Sequence, residues 1–195
     1  MLRVNQLSGF GAGASGLGPL THITATMWDG STSGWTLSNS DGDKSSTGSG
    51  GAFSNIRIKH ATAPVLDGDF AWQYIQTGNG GGNTDSSWGL YDVSEDSTWN
   101  STAYQQGLNS MTNSYWMNMD GSLTFATDEG STALTAGISF STSDVIKFTR
   151  TGSSLKLFVD GVQKQEWTSV TATLRFCVSG YTAGAADFDD MQYQV

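Results

Sequence analysis

The sequence predicts an all-β chain, folded as an antiparallel sandwich of two sheets, and three observations carry that prediction. Between Asp144 and Trp167 apolar residues recur at every second position. Ile146 and Phe148 alternate with Lys147 and Thr149; Leu155, Leu157 and Val159 alternate with Lys156 and Phe158. A period of two belongs to strands with one face inward. Turn residues punctuate these runs: Gly152 in Thr151-Gly152-Ser153-Ser154, then Asp160-Gly161, the pair suited to the positive-φ positions of a type I′ hairpin. The stretch therefore reads as a three-strand meander. Finally, Asp, Gly, Ser, Thr and Asn supply turn chemistry along the whole chain, with apolar runs recurring about every ten residues.

Taken in order, residues 1–20 stand apart. After Val4 and Leu7 comes a glycine-alanine-serine tract ending at Pro19, with a period of neither 2 nor 3.6. Such a tract buries too little to order itself. It gains order as a strand against its own domain, or as an extended Gly-rich N-terminal arm on a neighbouring subunit. The second is the expectation carried forward, with Val4, Leu7, Phe10 and Leu17 as anchors. Residues 21–195 then form the sandwich.

Thr21–Met27 alternates and reads as a strand. Residues 29–51 are loop-rich around one strand at Gly34–Ser38. Asn55–His60 sets Ile56 and Ile58 on one face and Arg57 and Lys59 on the other. Asp69–Thr77 does the same with Phe70, Trp72 and Tyr74 against Ala71, Gln73 and Ile75. A glycine-rich turn at 78–85 leads to a short strand at Ser87–Asp92. Residues 94–113 are the least patterned. Tyr115–Met119 and Leu123–Thr127 pair across Asp120-Gly121, Ala133–Phe140 leads into the meander, and Leu174–Val178 and Ala186–Gln194 finish the sheets. Trp72, Trp88 and Trp116 fall at core positions of their strands.

Composition excludes several functions. The net charge of −9 lacks the basic footprint that nucleic-acid binding requires. Only three of the eighteen acidic residues are glutamate: Glu95, Glu129 and Glu166. Cys177 is the single cysteine, which rules out an intramolecular disulfide, and its place in Leu174–Val178 predicts burial. No apolar run follows Met1-Leu2-Arg3 and none is long enough to cross a membrane, so the expectation is synthesis in a cytoplasm without export.

The order of several motifs resembles concanavalin-A-like jelly rolls, including the laminin-G-like and SPRY-like domains. Ser143-Asp144-Val145-Ile146 followed by Leu155–Gly161 is similar to their "GDVI, strand, GTLTFYVNG" unit. Ser114-Tyr115 through Asp120-Gly121-Ser122-Leu123 looks like the strand–turn–strand that precedes it in SPRY-like members. Phe188-Asp189-Asp190-Met191 resembles the strand that closes laminin-G-like domains. The resemblance covers about residues 35–195. It implies a concanavalin-A-like jelly-roll β-sandwich.

The enzyme activity this fold most often carries is glycoside hydrolysis, which needs two carboxylates across the scissile bond. The jelly-roll glucanases place them as Glu-x-Asp-x-x-Glu. Here the nearest set, Asp92-Val93-Ser94-Glu95-Asp96, lies past a strand end with different spacing. His22 and His60 are the only histidines, no Gly-x-Ser-x-Gly elbow accompanies them, and each reads as a sheet-surface or core residue. A zinc set and a phosphate-binding loop are likewise missing. Candidate ligands for a structural calcium are Asp41, Asp43, Asp67 and Asp69, with Asp187, Asp189 and Asp190 further on. Asp-Gly pairs are turns first, however, and neighbouring Asp189 and Asp190 alternate to opposite sides of a strand. No other cofactor is expected. Trp99 and Tyr104 are candidate contacts for a glycan or a protein partner.

The expectation is thus a non-enzymatic protein. The opening Arg3–Ala12 looks like the openings of bacteriophage virion proteins. That resemblance implies a capsid decoration (cement) protein in the virion, docked by its arm on the major capsid protein and self-associated as a trimer. The alternative is a carbohydrate- or receptor-binding module of a tail or fibre adhesin, with a surface glycan as ligand. Neither reading involves nucleic acid or a membrane.

Overall fold

Alternating runs become strands when both neighbours supply backbone partners, and here fourteen do among the described residues. The computed structural model describes residues 17–24, 27, 35–37, 44–46, 54–57, 64–78, 86–96, 113–120, 123–128, 134–139, 141, 143–180 and 187–195. The strands are β1 (Thr21–His22), β2 (Trp35–Leu37), β3 (Lys44–Ser46), β4 (Ser54–Arg57), β5 (Phe70–Gly78), β6 (Ser86–Asp92) and β7 (Ser114–Asp120). There follow β8 (Leu123–Asp128), β9 (Thr135–Ala136), β10 (Val145–Thr151), β11 (Ser154–Val159), β12 (Val162–Trp167), β13 (Leu174–Gly180) and β14 (Asp187–Gln194). Among the described residues no helix is long and apolar enough to cross a membrane.

They form two antiparallel sheets. The larger runs β12-β11-β10-β5-β14-β3-β2, with β1 also paired to β14; the smaller runs β4-β13-β6-β7-β8-β9. The chain is therefore an all-β, two-sheet jelly-roll sandwich of concanavalin-A-like type. The meander forms with the expected turns: Thr151 pairs with Ser154 around Gly152-Ser153, and Val159 with Val162 around Asp160-Gly161. Asp160 (φ 47) and Gly161 (φ 76) both occupy the left-handed region, as a type I′ turn requires.

The inner faces meet in one apolar layer. Phe70, Trp72 and Tyr74 of β5 and Ile146 and Phe148 of β10 come from the larger sheet, and Trp88 and Phe176 from the smaller. Trp72 stacks on Phe176 across the gap, ring centroids 5.0 Å apart and planes 18° apart, while Tyr115 meets Trp167 edge-on at 5.8 Å. Arg150 closes one end. Buried at 5 % exposure, it donates from Nε to Gly152 O (3.1 Å) and from Nη1 to Ala172 O, tying the β10–β11 hairpin to the loop before β13. Along one side Thr135 of β9 donates to Gln165 of β12, linking the edges of the two sheets.

Several expectations change. Of Thr21–Met27, the described residues form a strand only at Thr21–His22; Ile23 still donates to Met191 O, but Met27 N turns back to Thr24 O. Of Ala133–Phe140, the described residues pair only at Thr135–Ala136, because Gly137 enters positive φ (72°) and leaves the ladder. The loop-rich region holds a strand the alternation did not announce, Lys44–Ser46. β7 runs one residue past Met119, since Asp120 itself pairs with Leu123. Trp116 is fully buried, but not between the sheets. It lies with Tyr91 and Cys177 on the opposite face of the smaller sheet, as alternation with inward Tyr115 and Met117 dictates. Cys177 is buried, as its strand position implied.

Candidate functional site

The outward side chains of the larger sheet line up across its strands. On β5, inward Trp72 and Tyr74 leave Gln73 pointing out; on β10, Ile146 and Phe148 leave Lys147; on β11, Leu157 and Val159 leave Phe158. The registers place these residues opposite one another. Gln163 pairs with Phe158, Phe158 with Lys147, Lys147 with Gln73, Gln73 with Gln192, and Gln192 with His22. One row thus crosses β12, β11, β10, β5, β14 and β1. Five strand spacings of about 4.8 Å separate its ends by about 24 Å.

At the β14 end a bulge shapes the row. Between Asp189 and Gln192 the pairing with β5 slips by one residue, and Asp190 sits at φ 51. A left-handed non-glycine residue is uncommon, and bulges re-aim side chains. Here the Asp190 carboxylate lies on the outer face beside Gln192. Gln192 Nε2 donates to Asp190 Oδ1 (2.6 Å), and His22 Nδ1 lies 3.5 Å from the same oxygen. Gln192 Nε2 and His22 Nε2 are 3.5 Å apart. Gln73 Nε2 donates to Gln192 Oε1 at 3.4 Å.

The two amides lie on the outer side of the sheet and are nonetheless buried. Gln73 is 2 % and Gln192 5 % exposed, whereas the His22 side chain is 55 % exposed. Lys147 is half-buried, and burial pushes its ammonium below the usual lysine range, because the charged form loses water. In the adjacent row Lys156 lies 3.9 Å from Glu166. The Glu166 carboxyl is held below its ordinary value mainly by the Ser154 hydroxyl, with Lys156 assisting.

The acidic set at the end of β6 is tied up in structure. Asp92 Oδ1 accepts from Ser94 N (2.9 Å), capping the single 3₁₀ turn Val93–Glu95, and Asp92 Oδ2 accepts from Asn113 Nδ2 (3.2 Å). Glu95 Oε1 accepts from Asn113 N (3.2 Å). The Asp96 oxygens accept from Tyr91 OH and Arg175 Nη1, each at 2.7 Å. These carboxylates bind β6, β7 and β13 together and do not face each other across a cleft.

The calcium candidates are also drawn into turns. Asp67 Oδ1 accepts from Gly68 N (2.9 Å) and Asp69 Oδ1 from Gly152 N (2.7 Å). Among the described residues no group of three His, Cys, Asp or Glu side chains gathers in a metal-binding arrangement. Asp41, Asp43, Trp99, Tyr104, and the arm anchors Val4, Leu7 and Phe10 lie outside the described residues. Leu17 is partly buried. Beside it Gly18 O accepts from Gln194 Nε2 (2.9 Å), so the arm joins the domain at the end of β14.

The sequence reading missed Gln73, Lys147, Phe158, Asp190 and Gln192 as a group. The one signal for most of them was that each occupies the outward half of an alternating strand.

No protein-family model and no curated protein matches the chain. Solved structures do. The carbohydrate recognition domain of Emp47p is 16 % identical with a TM-score of 0.58, covering 94 % of this chain and 98 % of that one. A Bacillus subtilis protein of unknown function with a galectin-like fold is 9 % identical with a TM-score of 0.62, covering 91 % and 99 %. The carbohydrate-binding module CBM66 from Bacillus subtilis is 15 % identical with a TM-score of 0.54, covering 90 % and 100 %. At these identities the likeness is one of fold.

Proposed function

We propose that the chain is a non-catalytic carbohydrate-binding module that takes its ligand on the outer face of the larger sheet. The row Gln163–Phe158–Lys147–Gln73–Gln192–His22 carries this reading. It sets amide, imidazole and ammonium groups in fixed register beside one aromatic side chain. Sugars call for that combination: directional hydrogen bonds for hydroxyls and an apolar ring for C–H faces. Near-buried Gln73 and Gln192 are held in place before a ligand arrives, which lowers the ordering cost of binding. That two fold neighbours are carbohydrate-recognising domains supports the same reading by analogy.

Titration of isotope-labelled protein against a glycan library tests it. The expected result is that a binding glycan shifts amide signals along this row. Phe158→Ala should then weaken binding by about 1–2 kcal/mol, roughly tenfold, with the melting temperature nearly unchanged. If no glycan binds, or if the shifts map to another face, the reading fails.

The capsid decoration reading is a second proposal. It is supported by the glycine-rich character of the arm and by its opening, and by the tether of Gly18 to Gln194 at the end of β14. In it Val4, Leu7, Phe10 and Leu17 dock on the major capsid protein, with trimers at the capsid surface. Deleting residues 1–16 should then abolish joining to the particle while the isolated domain melts as before. Unfolding of the truncated domain would instead make the arm an internal strand.

A further inference from the structure

We infer that the ligand of this face is an uncharged, linear glycan chain, held at several internal units where it lies across the strands. This inference rests on the carbohydrate-binding reading. The accessible contact points of the row stand far apart. At one end the half-buried Phe158 ring of β11 lies opposite exposed Gln163 of β12; at the other, the His22 side chain of β1 is 55 % exposed beside Asp190. Four strand spacings of about 4.8 Å separate Phe158 from His22, or about 19 Å. A pyranose unit is about as long as one such spacing, so roughly four linked units reach from one point to the other. Between them Gln73 donates to Gln192 and Gln192 to Asp190, which makes a polar floor fixed before any ligand arrives. A single sugar seated on that floor reaches neither the Phe158 ring nor the His22 imidazole. Beside the floor Val145 and Ile75 pair across β10 and β5, two residues along from Lys147 and Gln73, and both are half-buried. Such an apolar shoulder suits the C–H faces of successive sugar rings.

Electrostatics decide that the chain is uncharged. Carboxylates stand at both ends of the row: Asp190 beside His22, and Glu166, whose Oε2 accepts from Gln163 Nε2 at 3.5 Å. Neither lysine of the face is left to balance an incoming anion. Lys156 lies 3.9 Å from Glu166, and Lys147 makes a contact of its own within the protein. The net charge of −9 repels acidic polymers at long range as well. Neutral hydroxyls avoid both penalties, since they donate to carboxylate and amide oxygens and accept from amide and imidazole N–H groups.

The test uses the full chain and defined probes: cello-, laminari- and mannooligosaccharides from the monosaccharide to the hexasaccharide, with galacturonate and mannuronate hexamers as acidic counterparts. In titration calorimetry at least one neutral ladder should tighten about tenfold or more between disaccharide and pentasaccharide and then level off. The acidic hexamers should bind about tenfold or more weakly than the neutral hexasaccharide of that ladder. Phe158→Ala and His22→Ala should each weaken the pentasaccharide about tenfold, with circular dichroism showing both variants folded. A disaccharide covers only one end and should respond to no more than one of the two substitutions. The wild-type ladder reads the length dependence without either variant. A disaccharide bound as tightly as the pentasaccharide, a pentasaccharide indifferent to either substitution, or a preference for the acidic hexamers overturns the inference and leaves the binding-module reading standing. If no probe binds, both readings fall together.

Discussion

Trp72→Ala is expected to lower stability by about 3–5 kcal/mol, a large part of the roughly 5–15 kcal/mol that holds a domain folded. Trp72 is fully buried on β5, which is hydrogen-bonded on both sides, to β10 and β14. Its ring lies on Phe176 of the opposite sheet and, at 6.2 Å and 23°, beside Tyr193 of the neighbouring strand. Truncation removes the largest side chain at the junction of both sheets and leaves a cavity that strands paired on both sides cannot close. For a chain of this size the melting temperature should fall by about 6–20 °C. Trp72→Phe is the informative control. The Trp72 indole N–H has no hydrogen-bond partner, so phenylalanine forfeits ring area and no hydrogen bond. Its loss should be clearly smaller. A Trp72→Ala loss below about 1 kcal/mol would mean the two sheets do not meet through this ring.

The same residue shows why much of the fold could be read from the chain. Phe70, Trp72 and Tyr74 announce their face because core burial acts on every second residue, and Asp160-Gly161 announces its turn because few residues tolerate positive φ. Both signals are local. Strand order is not. β14 lies between β5 and β3, and residue 192 is opposite residue 73, a pairing no local pattern encodes. The candidate site depends on that order, since its row draws on residues 22, 73, 147, 158, 163 and 192. The bulge at Asp190 was hidden for a related reason. One extra residue in a strand leaves the apolar pattern almost intact, so the shifted register between Asp189 and Gln192 has no local signature. Trp116 shows the opposite case: hydrophobicity foretold burial, but only the alternation with Tyr115 and Met117 decides which face of the sheet buries it.

That second buried face sets up the other large effect, Gly89→Ala. Gly89 is paired on β6 with Cys177 on one side and Trp116 on the other, and it points to the face where Tyr91, Trp116 and Cys177 pack. A Cβ at this position would fall against the carbonyl oxygen of Tyr115 and 2.5 Å from both Cα and Cβ of Trp116. The obstacles are chiefly backbone, and β7 is held by β6 on one side and β8 on the other, so it cannot step aside without breaking ladder bonds. Ordinary overpacking costs about 1–3 kcal/mol; the collision here is with main chain, and a loss of at least about 3 kcal/mol is expected. Gly152→Ala separates collision from backbone strain. Gly152 has φ +58 and no atom within 4 Å of the added Cβ, so alanine there meets only the left-handed penalty of about 1–2 kcal/mol. Chemical denaturation of the two variants decides the matter. If Gly89→Ala is no more destabilised than Gly152→Ala, β6 and β7 do not approach as closely as this face requires, and the burial of Trp116 needs another explanation.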